Sequence, residues 1–259
     1  MIKKIREIPV PDGIVEVPEK PYILRDVKQL KVLCDIHFEF HDKKALDVAT
    51  RHGTTPDTIL LLGDLLDFYA LSRFKKRPDY PTIRDEIKMC GSYLEWLREI
   101  YPKSRIYYYE GNHEKRLDRY VCDYAPALYD EEFTSLPLRL KLANLGITYI
   151  PNGHFMKVGH LYFLHGNEFN SRGGVNIART MLNKTLGNTL FGNFHKTDQS
   201  IIKNIKGEYI ANWSVGCLTK MKPEYAMGNN WNWGFADIEF FKDEFLVNNR
   251  MIMPNYEVR

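Results

Sequence analysis

The 259-residue chain has only four cysteines, Cys34, Cys90, Cys122 and Cys217, and no two of them form a CxxC pair. That scatter excludes a disulfide framework and a zinc knuckle; reduced thiols in a reducing compartment fit it better. No apolar run approaches the roughly 20 residues that a membrane helix needs. The opening stretch, MIKKIREIPVPDGIVEVPEKPY, carries charges and prolines throughout and lacks the apolar core of a secretion signal. These absences predict a soluble, cytoplasmic protein with no membrane partner. Internal repeats and low-complexity tracts are lacking as well, which excludes a repeat architecture. Charge of one sign is scarce: 36 Lys and Arg against 33 Asp and Glu leave +3. Such a mild basic excess permits a polyanionic partner without requiring one.

What is present is apolar patterning. Hydrophobic residues make up 44% of the chain, enough for a sizeable core. KVLCD (31–35), TILLLGD (58–64) and RIYYYEGN (105–112) read as buried strands. Residues 42–52, 83–100 and 114–123 read as helices, the second with Ile83, Ile87, Cys90, Leu94, Leu97 and Ile100 at helical spacing. Strand alternating with helix implies parallel strands and right-handed crossovers. Beyond residue 145 the texture changes to short strands at 147–150, 154–158, 160–165, 189–193, 199–205, 208–214, 234–240 and 245–252. One helix, 174–185, interrupts them, and FFKDEF reads as a hairpin. No linker separates the halves. The expectation is an α/β fold: residues 1–26 as a surface arm, then a single domain over 27–259. Its architecture is a four-layer αββα sandwich of two mixed β-sheets flanked by helices.

Functional residues in open α/β sheets gather at the carboxyl ends of strands. The first strand ends in Asp35 and His37, which an extended stretch turns to one side. The second gives Asp64 and Asp67, and the third Asn112 and His113. Later strands end in His165 and in Asn193 with His195. Mixed carboxylate, imidazole and amide donors suit manganese, iron or zinc better than calcium. Their number exceeds what one tetrahedral site uses. Two ions bridged by one carboxylate would use them all.

These motifs read DIH (35–37), GDLLD (63–67), GNHE (111–114), LHG (164–166) and GNFH (192–195). In that order the chain resembles the calcineurin-like metallophosphoesterase superfamily, whose pattern is DxH, GDxxD, GNH[DE], a strand-terminal His and GHxH. The tail SVGCLTKMKPEYAMGNNWNWGFADIEF adds a softer resemblance to phage-encoded members, which would place the chain in a host cytoplasm. The resemblance implies that Asp35, His37 and His195 hold one divalent ion, with Asp64 bridging to a second. Asn112, His165 and Asn193 complete the second site. It implies that His113 faces the ester, as general acid for the leaving oxygen or to stabilise charge on the phosphoryl group, and that Asp67 orients it. A pair of cations, manganese foremost and iron, zinc or magnesium as alternatives, would place a metal-bridging hydroxide in line with phosphorus.

One position departs from the pattern: Asn193 stands where GHxH has its first histidine. An amide oxygen is a weaker donor than imidazole, so the second site is expected to bind less tightly. Either the site fills only with abundant metal or substrate, or the substitution cripples it. Three substrate-binding candidates surround the motifs. Arg116 and Arg119 follow the GNHE turn at i,i+3 spacing. Arg73 opens the basic stretch LSRFKKRP (71–78). Tyr225, Trp231 and Trp233 read more simply as packing than as ring-stacking groups. His41, His52, His154 and His160 lack motif context, and Cys34 reads as core rather than nucleophile. Three functions follow. The first is a phosphodiesterase or nuclease acting on DNA, favoured because Phe68 stands where the family's serine/threonine phosphatases carry Arg. The second is a phosphomonoesterase on protein or nucleotide, favoured by the Glu of GNHE. The third is a binding scaffold with a degenerate site, for which Asn193 is the one indication.

Overall fold

A computed structural model describes residues 18, 20–73, 80–129, 134–170, 174–223, 228–242 and 244–259. Along these residues the chain runs β1 (Tyr22–Ile23), β2 (Gln29–Leu33), α1 (Lys43–Arg51), β3 (Thr58–Leu62), α2 (Ile83–Ile100), β4 (Arg105–Tyr109) and α3 (Lys115–Tyr124). It continues through α4 (Leu136–Arg139), β5 (Ile147–Ile150), β6 (Met156–Val158), β7 (Leu161–Leu164), α5 (Ile177–Thr185) and β8 (Thr189–Phe191). The last strands are β9 (Asp198–Lys203), β10 (Tyr209–Ser214), β11 (Trp233–Phe241) and β12 (Glu244–Ile252).

The strands form two mixed six-stranded sheets, ordered β12-β11-β2-β3-β4-β5 and β1-β6-β7-β8-β10-β9. Period-two alternation decides which side chain goes where. In β3 all five residues are buried: Ile59 and Leu61 join the cluster under α1–α3, while Leu60 and Leu62 join the cluster between the sheets. Phe163 and Leu190 of the second sheet meet them there. On that sheet's outer face Leu164 and Phe191 pack on Ile177 and Met181 of α5. The result is helices, sheet, sheet, helix: the αββα sandwich expected from the sequence.

Local chemistry starts the helices. The Asp42 carboxylate accepts from the Lys44 and Ala45 N–H groups at the head of α1. Thr82 and Asp85 form a reciprocal capping box at the head of α2. The parallel strands stop two or three residues before their expected ends. Left-handed backbone at Asp35 (φ 51°), Gly63 (φ 86°) and Asp64 (φ 52°) breaks the ladder there and turns the polar residues out of the sheet. The arm expected over 1–26 ends differently: Tyr22–Ile23 pair in parallel with Met156–Lys157 as an edge strand. Residues 1–17 and 19 lie outside the described residues.

Helical spacing in α2 buries Cys90, Leu94 and Leu97, and also Glu86, which the apolar pattern does not reveal. Glu86 accepts from the Phe68 N–H at 2.7 Å. Burial, with Glu39 and Asp67 adding their charge, pushes its carboxyl up to about 9. A folded-state value above the unfolded one gives stability that is present below about pH 4.5 and lost as pH rises toward 9. Glu86→Gln keeps the acceptor for Phe68 without the proton. Urea unfolding should therefore show the fall in stability from pH 5 to pH 9 shrinking by about 2–4 kcal/mol in the variant. An identical pH profile would contradict the assignment of the proton to Glu86.

Candidate metal centre

Five strand-end segments converge on one cleft. Asp35 and His37 leave β2, Asp64 and Asp67 leave β3, and Asn112 and His113 leave β4. From the other sheet come His165 after β7 and Asn193 with His195 after β8. The backbone is left-handed at His37 (φ 49°), Phe68 (φ 50°), Asn193 (φ 66°) and His195 (φ 57°), as it is at Asp35 and Asp64. Each such residue costs roughly 1 kcal/mol or more, and strain of this kind collects where it aims functional groups.

Two glycines let the segments approach. A Cβ on Gly192 would stand 2.6 Å from Asp35 Oδ2. One on Gly111 would collide with the Asp64 carboxylate. Beneath both turns lies Glu114, 2% exposed. Its Oε1 accepts from the Leu65 and Leu66 N–H groups (2.7 and 3.1 Å) and the Tyr108 hydroxyl (2.9 Å). Its Oε2 accepts from the Asp64 and Gly111 N–H groups (3.1 and 2.9 Å). Glu114 thus ties the β3 turn to the β4 turn and does not face the cleft as a catalytic group.

Among the described residues the donors fall into three overlapping groups: Asp35, His37 and His195; His37, Asp64 and His113; and Asp35, Asp64 and His165. Asp35, His37 and His195 bring one ligand atom each within 4.8 Å of one another. His195 Nε2 lies 3.2 Å from both Asp35 Oδ1 and His37 Nε2. Asp64 is central: its Oδ2 is 3.2 Å from His165 Nε2, 3.7 Å from His113 Nε2 and 3.9 Å from His37 Nε2. His165 donates Nδ1–H to the Leu62 carbonyl at 2.8 Å, which leaves the Nε2 lone pair facing Asp64. Asn112 Oδ1 and His165 Nε2 are buried with no hydrogen-bond partner. A buried acceptor without a donor is costly, and a cation removes the cost. Imidazole, carboxylate and amide oxygens around two such orphans fit divalent metals.

Electrostatics agree. Burial works against the Asp64 carboxylate, but His113 and His165 outweigh it and hold the carboxyl well below its ordinary range. The reciprocal effect raises His165 well above the usual imidazole value: burial opposes the charge, and Asp64 overcomes it. The cage therefore draws positive charge. Asp67 is buried too, and hydrogen bonds from His113 and His37 hold its carboxyl far down against that burial.

Asp67 organises one wall. Its Oδ2 lies 2.9 Å from His37 Nδ1 and 3.3 Å from His113 Nδ1. Arg116 donates Nη1 to Asp67 Oδ1 and to its carbonyl, both at 2.8 Å. Arg116 Nη2 is 3.1 Å from His113 Nε2. Arg116, a substrate-binding candidate, is therefore engaged by the protein itself. Arg119 and Arg73 are exposed and do not join the cluster. The rest of the basic stretch, 74–79, lies outside the described residues, as does Tyr225. Asn193 donates its N–H to Asp35 (2.9 Å to Oδ2), while its side-chain amide makes no hydrogen bond among the described residues. Cys34 is buried and its thiol donates to the Gly216 carbonyl at 3.4 Å. His41, His52 and His154 bond elsewhere. Trp233 stacks on Tyr256, but Trp231 lies against His195, a placement that its Gly/Asn-rich surroundings do not signal.

Two sheets whose strand ends gather Asp, His and Asn donors around Asp64 form a candidate metal centre. The chain belongs to the calcineurin-like phosphoesterases, whose family profile matches residues 29–242. That family works with two metal ions. The Gene 54 protein of Mycobacterium phage L5 is 30% identical over 233 residues, covering 81% of this chain and 88% of that protein. The Gene 54 protein of Mycobacterium phage D29 is 27% identical over 230 residues, 80% of this chain and 86% of that one. Among solved structures, Vps29 complexed with zinc from Entamoeba histolytica covers 89% of this chain and 96% of its own, with a TM-score of 0.48 and 12% identity. No helix among the described residues is long and apolar enough to cross a membrane.

Proposed function

We propose that the chain is a two-metal phosphodiesterase acting on nucleic acid, with DNA as the first substrate to test. The observation that carries this is the commitment of positive side chains around the donor cluster. Phe68 is fully buried in the core beneath the helices, where the family's monoester phosphatases carry a cation. The one guanidinium that the described residues bring to the cluster, Arg116, is neutralised by Asp67. Among the described residues a dianionic monoester finds no free cation there, whereas a monoanionic diester needs none beyond the metals. Glu114, the sequence feature that favoured a phosphatase, is an internal tie.

Asp35, His37 and His195 would hold one cation, Asn112 and His165 a second, with Asp64 serving both and Asn193 as a weak donor to the second. Bound there, the cations would supply Lewis acidity toward the phosphoryl oxygens and an activated water. The chain's own residues do the rest. Asp67 fixes the rings of His37 and His113. His113 would give an Nε2 proton to the leaving oxygen once Arg116, which can only donate and sits 3.1 Å from Nε2, yields that nitrogen. Burial opposes that proton and Asp64 more than restores it, while the neighbouring Arg116 charge weakens the hold so that it can be given up.

Restoring an imidazole with Asn193→His should tighten the second Mn²⁺ step of a calorimetric titration by about tenfold or more while leaving the first step in place. Equal second-step affinity in the two proteins would show that position 193 is not a ligand. The function itself is tested with Mn²⁺ by comparing bis-p-nitrophenyl phosphate with p-nitrophenyl phosphate, then single- and double-stranded DNA. Diester and DNA cleavage are expected. Monoester hydrolysis alone would overturn the reading in favour of a phosphatase; silence on every substrate with no metal bound would leave a scaffold.

A further inference from the structure

A metal-binding imidazole spends one ring nitrogen on the cation and gives the other, as N–H, to an acceptor that fixes tautomer and orientation. Two of the three histidines that frame the centre follow this rule with oxygen acceptors. His37 Nδ1 meets Asp67 Oδ2 at 2.9 Å. His165 Nδ1 meets the Leu62 carbonyl at 2.8 Å. His195 differs. Its Nε2 faces Asp35 and His37 in the cluster, but its Nδ1 is buried with no hydrogen-bond partner. What lies against the ring is Trp231, with centroids 4.2 Å apart and planes inclined at 66°. That is an edge-to-face contact with a short centroid separation, and an indole face is electron-rich enough to accept an N–H.

We infer that the π face of Trp231 accepts the Nδ1–H of His195, making Trp231 a positioning residue for the first metal ligand set. The segment 229–232 is stapled to do this. The Trp231 N–H donates to Asn229 Oδ1 at 3.0 Å. The Asn232 N–H donates to the His195 carbonyl at 3.0 Å. The Asn232 side chain accepts from the Thr197 N–H at 2.8 Å and donates to Thr197 Oγ1 at 2.7 Å. The indole is thus carried on backbone tied to the very turn that presents His195. With the proton held on Nδ1, the Nε2 lone pair is left for the cation. An aromatic face accepts more weakly than a carboxylate or carbonyl, so Trp231 sets a ceiling on the basicity of this ligand and on the affinity of the first site.

The metal consequence rests on the two-cation reading; the contact itself does not, so two measurements separate them. In metal-free protein with ¹⁵N-labelled histidine, proton–nitrogen correlation spectra should show a slowly exchanging His195 Nδ1–H, shifted upfield by the indole ring current. Trp231→Leu should abolish it and Trp231→Phe should retain it at a smaller shift. In a Mn²⁺ titration, Trp231→Leu should weaken the first binding step by about five- to tenfold, while Trp231→Phe stays within about twofold. An unshifted, rapidly exchanging wild-type resonance overturns the inference even if Trp231→Leu fails to fold. So does Trp231→Phe falling as far as Trp231→Leu, or Trp231→Leu matching wild type in affinity. A shifted resonance in a wild-type protein that takes up no Mn²⁺ supports the contact and overturns the two-cation reading instead.

Discussion

Asp64→Asn should lower kcat on a diester substrate by at least about 10³-fold and leave at most one Mn²⁺ bound per chain. Asp64 Oδ2 is the one oxygen placed between His165, His113 and His37, at 3.2, 3.7 and 3.9 Å. On the proposed reading, removing its charge takes away what the two cation sites share. The substitution is conservative for the fold. Asp64 Oδ1 accepts the His113 N–H at 3.0 Å, and an amide oxygen can keep that bond. Steady-state kinetics and metal analysis on the purified variant decide the matter. Activity within tenfold of wild type, or two ions still bound, would remove Asp64 from the centre of the account.

Glu114→Ala should destabilise the protein by about 3–5 kcal/mol. Five donors meet its carboxylate, four of them backbone N–H groups from turns that leave two different strands. Truncation strands these donors in a buried space from which water is excluded. Glu114→Gln should cost less, because one carbonyl oxygen remains to accept. Activity should fall in both, since the turns that carry Asp64 and Asn112 lose their common anchor. Urea unfolding gives the stability and a diester assay the activity. A loss under about 1 kcal/mol in the alanine variant would mean that the turns are held by something else. Stability fully retained with activity abolished would place Glu114 among the catalytic groups instead.

Much of the fold was legible because β2, β3 and β4 are apolar runs that end in polar motifs, and because α2 repeats its apolar residues at helical spacing. Their expected bounds match the structure within a few residues. The errors have a common cause. The strands end two or three residues before the apolar pattern suggests because KVLCD, TILLLGD and RIYYYEGN continue smoothly in sequence; left-handed backbone at Asp35, Gly63 and Asp64 ends the ladder of β2 and β3. β1 was missed because its two residues pair with β6, whose sequence lies over 130 positions away and leaves no local trace. The donor series was visible, since each member sits at a strand end. The supporting groups were not. Glu86 and Glu114 look like surface acids until their backbone partners are seen. Arg116 reads as a free phosphate grip until Asp67 is found beside it. Trp231 reads as loop packing until His195 appears at 4.2 Å.

The account stands on a pair of cations sharing Asp64. Crystals soaked in Mn²⁺ and measured at the manganese absorption edge test this most directly. Two anomalous peaks are expected, about 3.5–4 Å apart, on either side of Asp64 Oδ2. One should be bounded by Asp35, His37 and His195, and the weaker one by Asn112 and His165. No peak in the cleft, or peaks only at surface carboxylates, would contradict it.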